Sequence, residues 1–244
     1  MKLSVNNLYF SYGDQHILNG LTFEAAEGEF ISILGPSGCG KSTLLNILAG
    51  IRKPQSGQVQ IDGKETKGVN SCFAYMPQND LLLPWRTILD NVCLYGEIHH
   101  QKEQMKETAQ AQMARFGLQG CEDKYPDELS GGMRQRAAFL RTALCQAEIY
   151  LLDEPFGALD VITRSGMQDW LRELYSNLKK TILLVTHDTD EAIYLSDRIL
   201  ILGKAGEGIR REIQVKEKNR TREWLYEQGK LRAEIYRLIQ EETK

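Results

Sequence analysis

The sequence lacks a long apolar run. Of its 244 residues 42% are hydrophobic, yet no apolar stretch approaches the roughly 20 residues that a membrane-spanning helix needs. The longest candidates, at 149–152 and 181–185, have the length of strands. We therefore expect any role at a membrane to depend on a partner protein.

Cysteine is sparse and the net charge is small. The five cysteines form no CxxC pair, and the residues from Met1 to Ser4 show no signal-peptide pattern. We expect reduced thiols in a cytoplasmic setting. The formal net charge of -3 gives no general attraction to nucleic acid, although it does not describe local basic patches. We therefore expect no nucleic-acid partner.

A glycine-rich stretch carries the clearest chemical signal. It consists of Gly35, Pro36, Ser37, Gly38, Cys39, Gly40, Lys41, Ser42 and Thr43. An apolar run precedes it and a helix-forming run follows, which is the strand–loop–helix context of a phosphate-binding loop. A chance match in an ordinary turn is disfavoured because both flanks fit. We predict that backbone N–H groups and Lys41 bind nucleotide phosphates, and that the Ser42 hydroxyl ligates Mg²⁺.

Polar side chains follow two further apolar runs. Asp153 and Glu154 end the run at 148–152, and His187 ends the run at 181–186. In a parallel sheet these ends lie beside the phosphate loop. We predict that Asp153 holds Mg²⁺ through water and that Glu154 orients or deprotonates the attacking water. His187 is placed to sense the γ-phosphate; the alternatives are an acidic turn and a surface or core histidine.

An aromatic side chain shortly before the loop could stack on a purine. Tyr12 is our choice, with Phe10 and Tyr9 as competitors. Packing on a sheet face explains any of these side chains equally well.

Residues 87–146 have a helical character and contain a second candidate anion site. Ser130 is a plausible N-cap, and Gly131 and Gly132 expose backbone N–H groups at the start of the helix that follows. The alternative is an ordinary cap and turn. Before this region, Gln78 stands at the edge of a loop, and five apolar side chains follow at 81–85. These either pack inside or form an exposed docking patch.

These patterns predict an α/β fold. We expect a P-loop NTPase core with a mainly parallel sheet, a small antiparallel β subdomain and an inserted α-helical subdomain. The nucleotide-binding core with its β subdomain would comprise 1–86 and 147–210, and the helical subdomain 87–146. A charged C-terminal helical tail at 211–244 would pack on the body through an amphipathic face.

With these residues in view, the chain resembles the ATP-binding subunit of an ATP-binding-cassette (ABC) transporter from at least Leu3 to Leu202. The matches are Walker A at 35–43, the Q-loop glutamine Gln78, the signature at 129–133, Walker B at 149–153, the catalytic glutamate Glu154, the D-loop at 158–160, the switch histidine His187 and the adenine-stacking Tyr12. The chain departs from the common pattern at Met133 and Gly157, where many members have glutamine and serine. Both departures are frequent in bacterial importers.

The resemblance implies a mechanism and partners. Two identical ATPase subunits would enclose two ATP molecules with Mg²⁺, each between the Walker A loop of one copy and the signature of the other. Asp160 would also reach the nucleotide, and Gln78 would join Ser42 and Asp153 around the metal. The subunit would lie on the cytoplasmic face of the membrane against permease subunits. An extracytoplasmic solute-binding protein would act on it only indirectly.

The segment 81–92 resembles the nitrate, sulfonate and taurine importer group, which includes importers of thiamine-precursor pyrimidines. The expected function is ATP hydrolysis that energises a bacterial importer of such a small solute. The alternative is a soluble ABC ATPase of DNA repair or ribosomes, but the paired cassettes, coiled coils, zinc modules and basic segments of that class are not visible. A regulatory module without turnover is disfavoured by the presence of Lys41, Asp153, Glu154 and His187.

Overall fold

Two sheets and nine α-helices alternate along the chain in the computed structural model, which describes residues 1–241, without the side chains of 176–178 and 241. Residues 242–244 of the predicted tail lie outside the described residues. The strands are β1 Leu3–Tyr12, β2 Gln15–Ala25, β3 Phe30–Leu34, β4 Ser56–Ile61, β5 Lys64–Glu65, β6 Phe73–Met76, β7 Ile149–Asp153, β8 Thr181–Val185, β9 Arg198–Leu202 and β10 Ile209–Gln214. The helices are α1 Lys41–Leu48, α2 Ile88–Val92, α3 Leu94–Ile98, α4 Lys102–Met113, α5 Gly131–Ala143, α6 Val161–Leu178, α7 Thr189–Leu195, α8 Arg222–Glu227 and α9 Gly229–Glu241. Over residues 1–241, no helix combines the length and the apolar character that crossing a bilayer requires.

The larger sheet has six strands in the order β10-β9-β3-β8-β7-β6. The five strands from β9 to β6 are parallel, and β10 is antiparallel to β9. Every residue of β3, β7 and β8 is buried, which explains their predominantly apolar sequences. Because the carboxyl ends of parallel strands meet at one edge, the segments after β3, β7 and β8 lie together.

The smaller sheet is antiparallel, with the strand order β2-β1-β4-β5. Asp62 and Gly63 both have positive φ, at 49° and 74°, as the tight turn between β4 and β5 requires. Its buried side chains pack with α1 against the larger sheet. A parallel core with a small antiparallel sheet was predicted, and the fold class is confirmed.

The region between β6 and β7 contains the helices α2 to α5. Four aromatic rings join this region to the core, with Phe139 in edge contact with Phe116, Phe156 and Trp170 at centroid distances of 6.0, 5.6 and 5.5 Å. The rings of Phe116, Phe139 and Phe156 are buried. The helical region is therefore attached to the body by a continuous apolar contact.

The C-terminal segment returns to the body before it becomes helical. Residues 211–214, which we assigned to a helical tail, belong to β10 because they pair with β9 in the large sheet. The two helices that follow pack on the core through buried side chains such as Ile235, as the amphipathic spacing predicted. Arg232 of α9 also forms a 2.6 Å ion pair with Asp190 of α7.

Candidate nucleotide site

The glycine-rich loop joins β3 to α1, as its flanks predicted. Gly40 caps the helix with φ 107°, a conformation that favours glycine, and a Cβ there would lie 2.7 Å from Cγ2 of Ile17. No side chain caps this helix start. Ser37 and Gly38 at the tip of the loop are exposed. The exposed tip of the loop and the uncapped helix start therefore present backbone N–H groups to an anion.

Lys41 is held over this loop. Its ammonium Nζ donates to the carbonyl oxygens of Gly35 and Pro36 across 2.8 and 2.9 Å. These contacts place a positive charge beside the N–H groups of the loop. The arrangement concentrates the features that bind phosphate, namely N–H donors, a helix dipole and a cation.

Asp153, the last residue of β7, is 2% exposed. Burial raises the pKa of its carboxyl group, the charge of Glu154 adds to this, and the Ser42 hydroxyl and Lys41 oppose it. Within the described part of the chain, its Oδ1 atom has no hydrogen-bond partner. A buried carboxylate oxygen without a partner, beside a serine hydroxyl, fits a hard divalent cation such as Mg²⁺.

Glu154 brings together two other predicted residues. Gln78 Nε2 donates to Glu154 Oε2 across 3.2 Å, and Nδ1 of His187 lies 3.4 Å from the same oxygen. Glu154 has φ 49°, and its N–H donates to the carbonyl of Val185 across 2.9 Å. The chain therefore turns sharply after β7, and the carboxylate meets a residue from the loop after β6 and one from the end of β8.

The segment from Ser130 to Gly132 forms the start of α5. Ser130 Oγ accepts from the N–H of Met133 across 3.3 Å and caps α5, as predicted. A Cβ on Gly132 would lie 3.3 Å from the carbonyl oxygen of Ala158, so the start of α5 adjoins the segment that ends at Asp160. These contacts join two of the predicted site segments to each other and leave the outer side of Ser130 exposed.

Asp160 has a structural role in the single chain. Its Oδ1 accepts from the N–H groups of Ile162 and Thr163 across 3.1 and 3.0 Å and caps α6. These hydrogen bonds hold the pKa of the Asp160 carboxyl below its usual range, because they stabilise the charged form. The cap fixes the position of this turn independently of any nucleotide.

Of the aromatic candidates, Tyr12 and Tyr9 are exposed, at 44% and 40%, and Phe10 is buried. Tyr12 lies at the end of β1, and its ring makes an edge contact with that of Phe10 at 4.9 Å between centroids. The guanidinium carbon of Arg52 lies 5.0 Å from the Tyr12 centroid. A purine stacked on Tyr12 would therefore contact the same aromatic ring as the guanidinium of Arg52. Sequence reasoning did not identify Arg52.

The likeness to known proteins agrees with this geometry. The family profile described as "ABC transporter" matches residues 18–157, more than half of the chain. The chain belongs to the ABC transporter family. It is an ATP-binding and ATP-hydrolysing subunit that powers import.

Two relatives and one solved structure show the extent of the similarity. The aliphatic sulfonates import ATP-binding protein SsuB of Zymomonas mobilis is 41% identical over 213 residues, which cover 87% of each chain. The formylaminopyrimidine import ATP-binding protein ThiZ of Halalkalibacterium halodurans is 45% identical and covers 82% of this chain and 78% of ThiZ. The dimeric ATP-binding cassette in a post-hydrolysis state, bound to ADP and Pi, has a TM-score of 0.79 at 30% identity. That match covers 88% of this chain and 99% of the other.

The five apolar side chains after Gln78 do not behave alike. Leu82 is 7% exposed and belongs to the core, whereas Leu81 and Trp85 are 61% and 71% exposed. The buried side chain of Asn91 holds the loop, with Oδ1 accepting from the N–H of Leu83 across 2.7 Å. Leu82 therefore packs inside, which was the first alternative left open by the sequence, whereas Leu81 and Trp85 are exposed as the second alternative requires.

Sequence reasoning missed the residues that join the signature helix to the other site segments. Gln135 Nε2 donates to the carbonyls of Glu154 and Pro155 across 3.4 and 3.3 Å. Arg134 Nε donates to the Asp80 carboxylate across 3.1 Å. Both residues follow the signature directly, but their partners are distant in sequence, so no local pattern reveals the contacts.

Proposed function

We propose that two copies of this cassette enclose two ATP molecules. Each nucleotide would lie between residues 35–43 of one copy and Ser130 to Gly132 of the other. The exposed N-terminal end of α5 supports this. Its backbone N–H groups can donate to the phosphates of the nucleotide that the other copy binds. Val161 and Ile162 are 77% and 86% exposed directly after Asp160, an apolar surface that suits a partner. The solved cassette to which this chain is similar is also a dimer.

The contacts of Glu154 carry the proposal for catalysis. Its carboxylate accepts the proton of the attacking water, and His187 and Gln78 fix its direction through their contacts with Oε2. Lys41 binds the β- and γ-phosphates. Ser42 and Asp153, together with Gln78, would hold Mg²⁺, and the metal would neutralise charge on the phosphate oxygens. Tyr12 stacks on the adenine, and Asp160 lies at the rim of the site in the partner copy.

Replacement of Glu154 by glutamine tests this assignment. The change keeps the size of the side chain and removes the base, so ATP still binds while hydrolysis falls by roughly 10²-fold or more. The closed dimer then persists, because its γ-phosphate contacts remain. We expect an ATP-dependent dimer in size-exclusion chromatography for Glu154→Gln. Wild-type turnover of this variant would refute the base assignment.

A second variant tests the shared site. Ser130→Arg puts bulk and charge at the start of α5, where the nucleotide of the other copy would lie. When it is combined with Glu154→Gln, the ATP-dependent dimer should disappear. ATP binding to the monomer should remain, since the phosphate loop is unchanged. A double variant that still dimerises with ATP would overturn the head-to-tail arrangement.

We also propose that the exposed Leu81 and Trp85 dock a membrane-spanning permease, which keeps the subunit at the cytoplasmic face of the membrane. Two apolar side chains on a loop that is held by Asn91 form a preorganised contact. Gln78, three residues before Leu81, then relates the docked loop to Glu154. If the chain divides into a core and a helical subdomain at 87–146, as we propose, this loop would lie at the junction between them.

The imported solute is proposed to be a small sulfonate or a formylated aminopyrimidine, because SsuB and ThiZ are named for these solutes. The solute contacts the permease and an extracytoplasmic binding protein, not this chain. The test is ATP hydrolysis by the reconstituted transporter with each solute and its binding protein. Stimulation by one solute class assigns the substrate. Failure of the cassette to co-purify with any membrane protein would favour a soluble ABC ATPase instead.

A further inference from the structure

The turn that carries His187 is held by its two neighbours. The Thr186 hydroxyl accepts from the N–H of Asp188 across 3.0 Å and donates to Oε2 of Glu191 across 2.6 Å. Glu191 lies in the first turn of α7, whereas His187 is the exposed residue between these anchors. The position of the imidazole beside Glu154 therefore depends on a hydrogen bond to Glu191.

Glu191 belongs to a chain of hydrogen bonds that begins in the C-terminal segment. Arg222 of α8 donates to Oε1 of Gln168 across 2.9 Å, and Nε2 of Gln168 donates to Oε1 of Glu191 across 3.3 Å. Arg222 can only donate, so it fixes which end of the Gln168 amide faces Glu191. Glu191 must then accept from both Gln168 and Thr186. The ionised carboxylate, which is the form of Glu191 above its raised pKa of about 7, meets this demand, since it offers two acceptor oxygens and no donor.

Water does not substitute readily for these contacts. Thr186, Gln168 and Glu191 are 2%, 5% and 4% exposed. A buried donor that loses its acceptor costs the full desolvation free energy of the group, so the chain of bonds strongly prefers one arrangement.

The other neighbour of His187 is tied to a different site segment. Arg164 of α6 lies 3.4 Å from Oδ2 of Asp188 and donates to the carbonyl of Leu159 across 3.0 Å. The Leu159 carbonyl directly precedes Asp160. The turn of His187 is therefore braced on both sides, by Glu191 through Thr186 and by Arg164 through Asp188.

We propose that Glu191 is a positioning residue for His187, and that Arg222 and Gln168 set the direction of the hydrogen bonds by which it acts. The inference rests on the proposed role of His187 in hydrolysis. Glu191 does not touch the nucleotide. It holds Thr186 so that the imidazole meets Glu154 in the orientation that the reaction needs. The C-terminal segment thereby affects catalysis indirectly, because Arg222 of α8 acts on Glu191 through Gln168.

The primary test is Glu191→Gln. With Gln168 oriented by Arg222, either orientation of the new amide leaves one buried donor, the Thr186 hydroxyl or the Gln168 amide, without its acceptor at position 191. We expect kcat to fall about 10-fold with little change in KM for ATP, since a displaced catalytic group costs rate and Lys41 is untouched. The matched control is Asp190→Asn, which removes a carboxylate from the same helical turn. Asp190 pairs with Arg232. The kcat of this control should stay within about twofold of wild type.

A swap of the two side chains tests the direction of the bonds. In Glu191→Gln combined with Gln168→Glu, the new carboxylate accepts from Arg222 and from the residue-191 amide, whose oxygen accepts from Thr186. The matching of donors and acceptors is restored, so we expect most of the lost kcat to return. Gln168→Glu alone places two carboxylates together and should lower kcat. A swap that is no better than Glu191→Gln would refute the directional part of the proposal.

His187→Ala separates positioning from a general loss of structure. If Glu191 acts through the imidazole, Glu191→Gln has no further effect on kcat once His187 is absent. An equal fall in both backgrounds, or a wild-type kcat for Glu191→Gln, would overturn the inference. If His187→Ala itself hydrolyses ATP at the wild-type rate, the proposed role of His187 fails instead, which distinguishes the two failures.

Discussion

The guanidinium of Arg141 donates to the main-chain carbonyl of Asp80 across 2.7 Å. It also donates to the carbonyl of Leu81 across 2.8 Å, and Arg134 on the same face of α5 contacts the Asp80 carboxylate. The helix that begins at Ser130 is therefore attached to the loop that carries Gln78 and Leu81. A displacement of this loop by a docked permease would be transmitted to the signature end of α5 through these bonds.

Arg141→Met tests this connection. The change keeps an unbranched side chain and leaves two loop carbonyls without their donor. We expect basal hydrolysis of the isolated subunit to stay within about twofold of wild type, while solute-stimulated hydrolysis of the reconstituted transporter falls about 10-fold, the scale of one lost charged hydrogen bond. The control is Arg115→Met. Arg115 forms an ion pair with exposed Glu173 across 2.6 Å, and this pair does not include the loop. Equal stimulation in both variants would contradict the connection.

Lys41→Ala should remove most of the nucleotide affinity. The ammonium is the cation that the structure holds over the loop, and the loss of its charged hydrogen bonds should weaken ATP binding by roughly 10²-fold. Titration calorimetry with ATP and Mg²⁺ measures this. Lys64→Ala, an exposed lysine of β5, serves as the charge-matched control. Near-normal binding by Lys41→Ala would defeat the assignment of the phosphate loop.

Trp85 and Leu82 should respond differently to a polar substitution. Trp85→Ser leaves the core intact, so the melting temperature and basal hydrolysis should be unchanged while assembly with the permease weakens. Leu82→Ser removes a buried side chain, and we expect the free energy of unfolding to fall by about 2–5 kcal/mol. Thermal denaturation and co-purification with the permease give the two readouts. Normal assembly of Trp85→Ser would refute the docking role of the exposed loop.

The stability of the protein should depend on pH through Glu191. Burial raises the pKa of its carboxyl group to about 7, with Asp188 also raising it and Thr186, Arg164 and Gln168 opposing. The folded state binds this proton more tightly than the unfolded chain does. The protonated carboxyl group therefore contributes to the free energy of unfolding, fully below about pH 4.5, and this contribution is lost as the pH rises through about 7. Glu191→Gln cannot titrate.

The comparison of the two proteins isolates this effect. The free energy of unfolding of wild type minus that of Glu191→Gln should decrease as the pH rises from about 5 to 7.5, by about 3 kcal/mol at most. Urea denaturation at several pH values measures the difference. A difference that is constant over this range, or that grows with pH, would contradict the raised pKa.

Much of the site was predictable because strand ends are marked in the sequence. The apolar runs before Gly35, Asp153 and His187 are fully buried strands, and parallel pairing brings their carboxyl ends together whatever the intervening chain does. Ser130 was also predictable, because capping is a local interaction. These predictions needed only short windows of sequence.

The contacts that were missed join side chains from distant elements. The bonds from Arg222 through Gln168 to Glu191 cross three helices, and no period or spacing marks them. Leu81 and Leu82 have the same side chain, yet one is exposed and the other buried. Their difference follows from the conformation of a loop, with φ 45° at Leu81, which composition does not specify.

The left-handed backbone at Glu154 also bears on how this protein changes over generations. A non-glycine residue at φ 49° stores strain on the order of 1 kcal/mol. Glu154→Gly would release that strain and still permit the turn after β7, but it would delete the proposed base. Selection for folding alone would therefore favour the loss of Glu154. Its retention at this position would reflect selection for turnover, and a thermostability screen without an activity readout is expected to discard the residue.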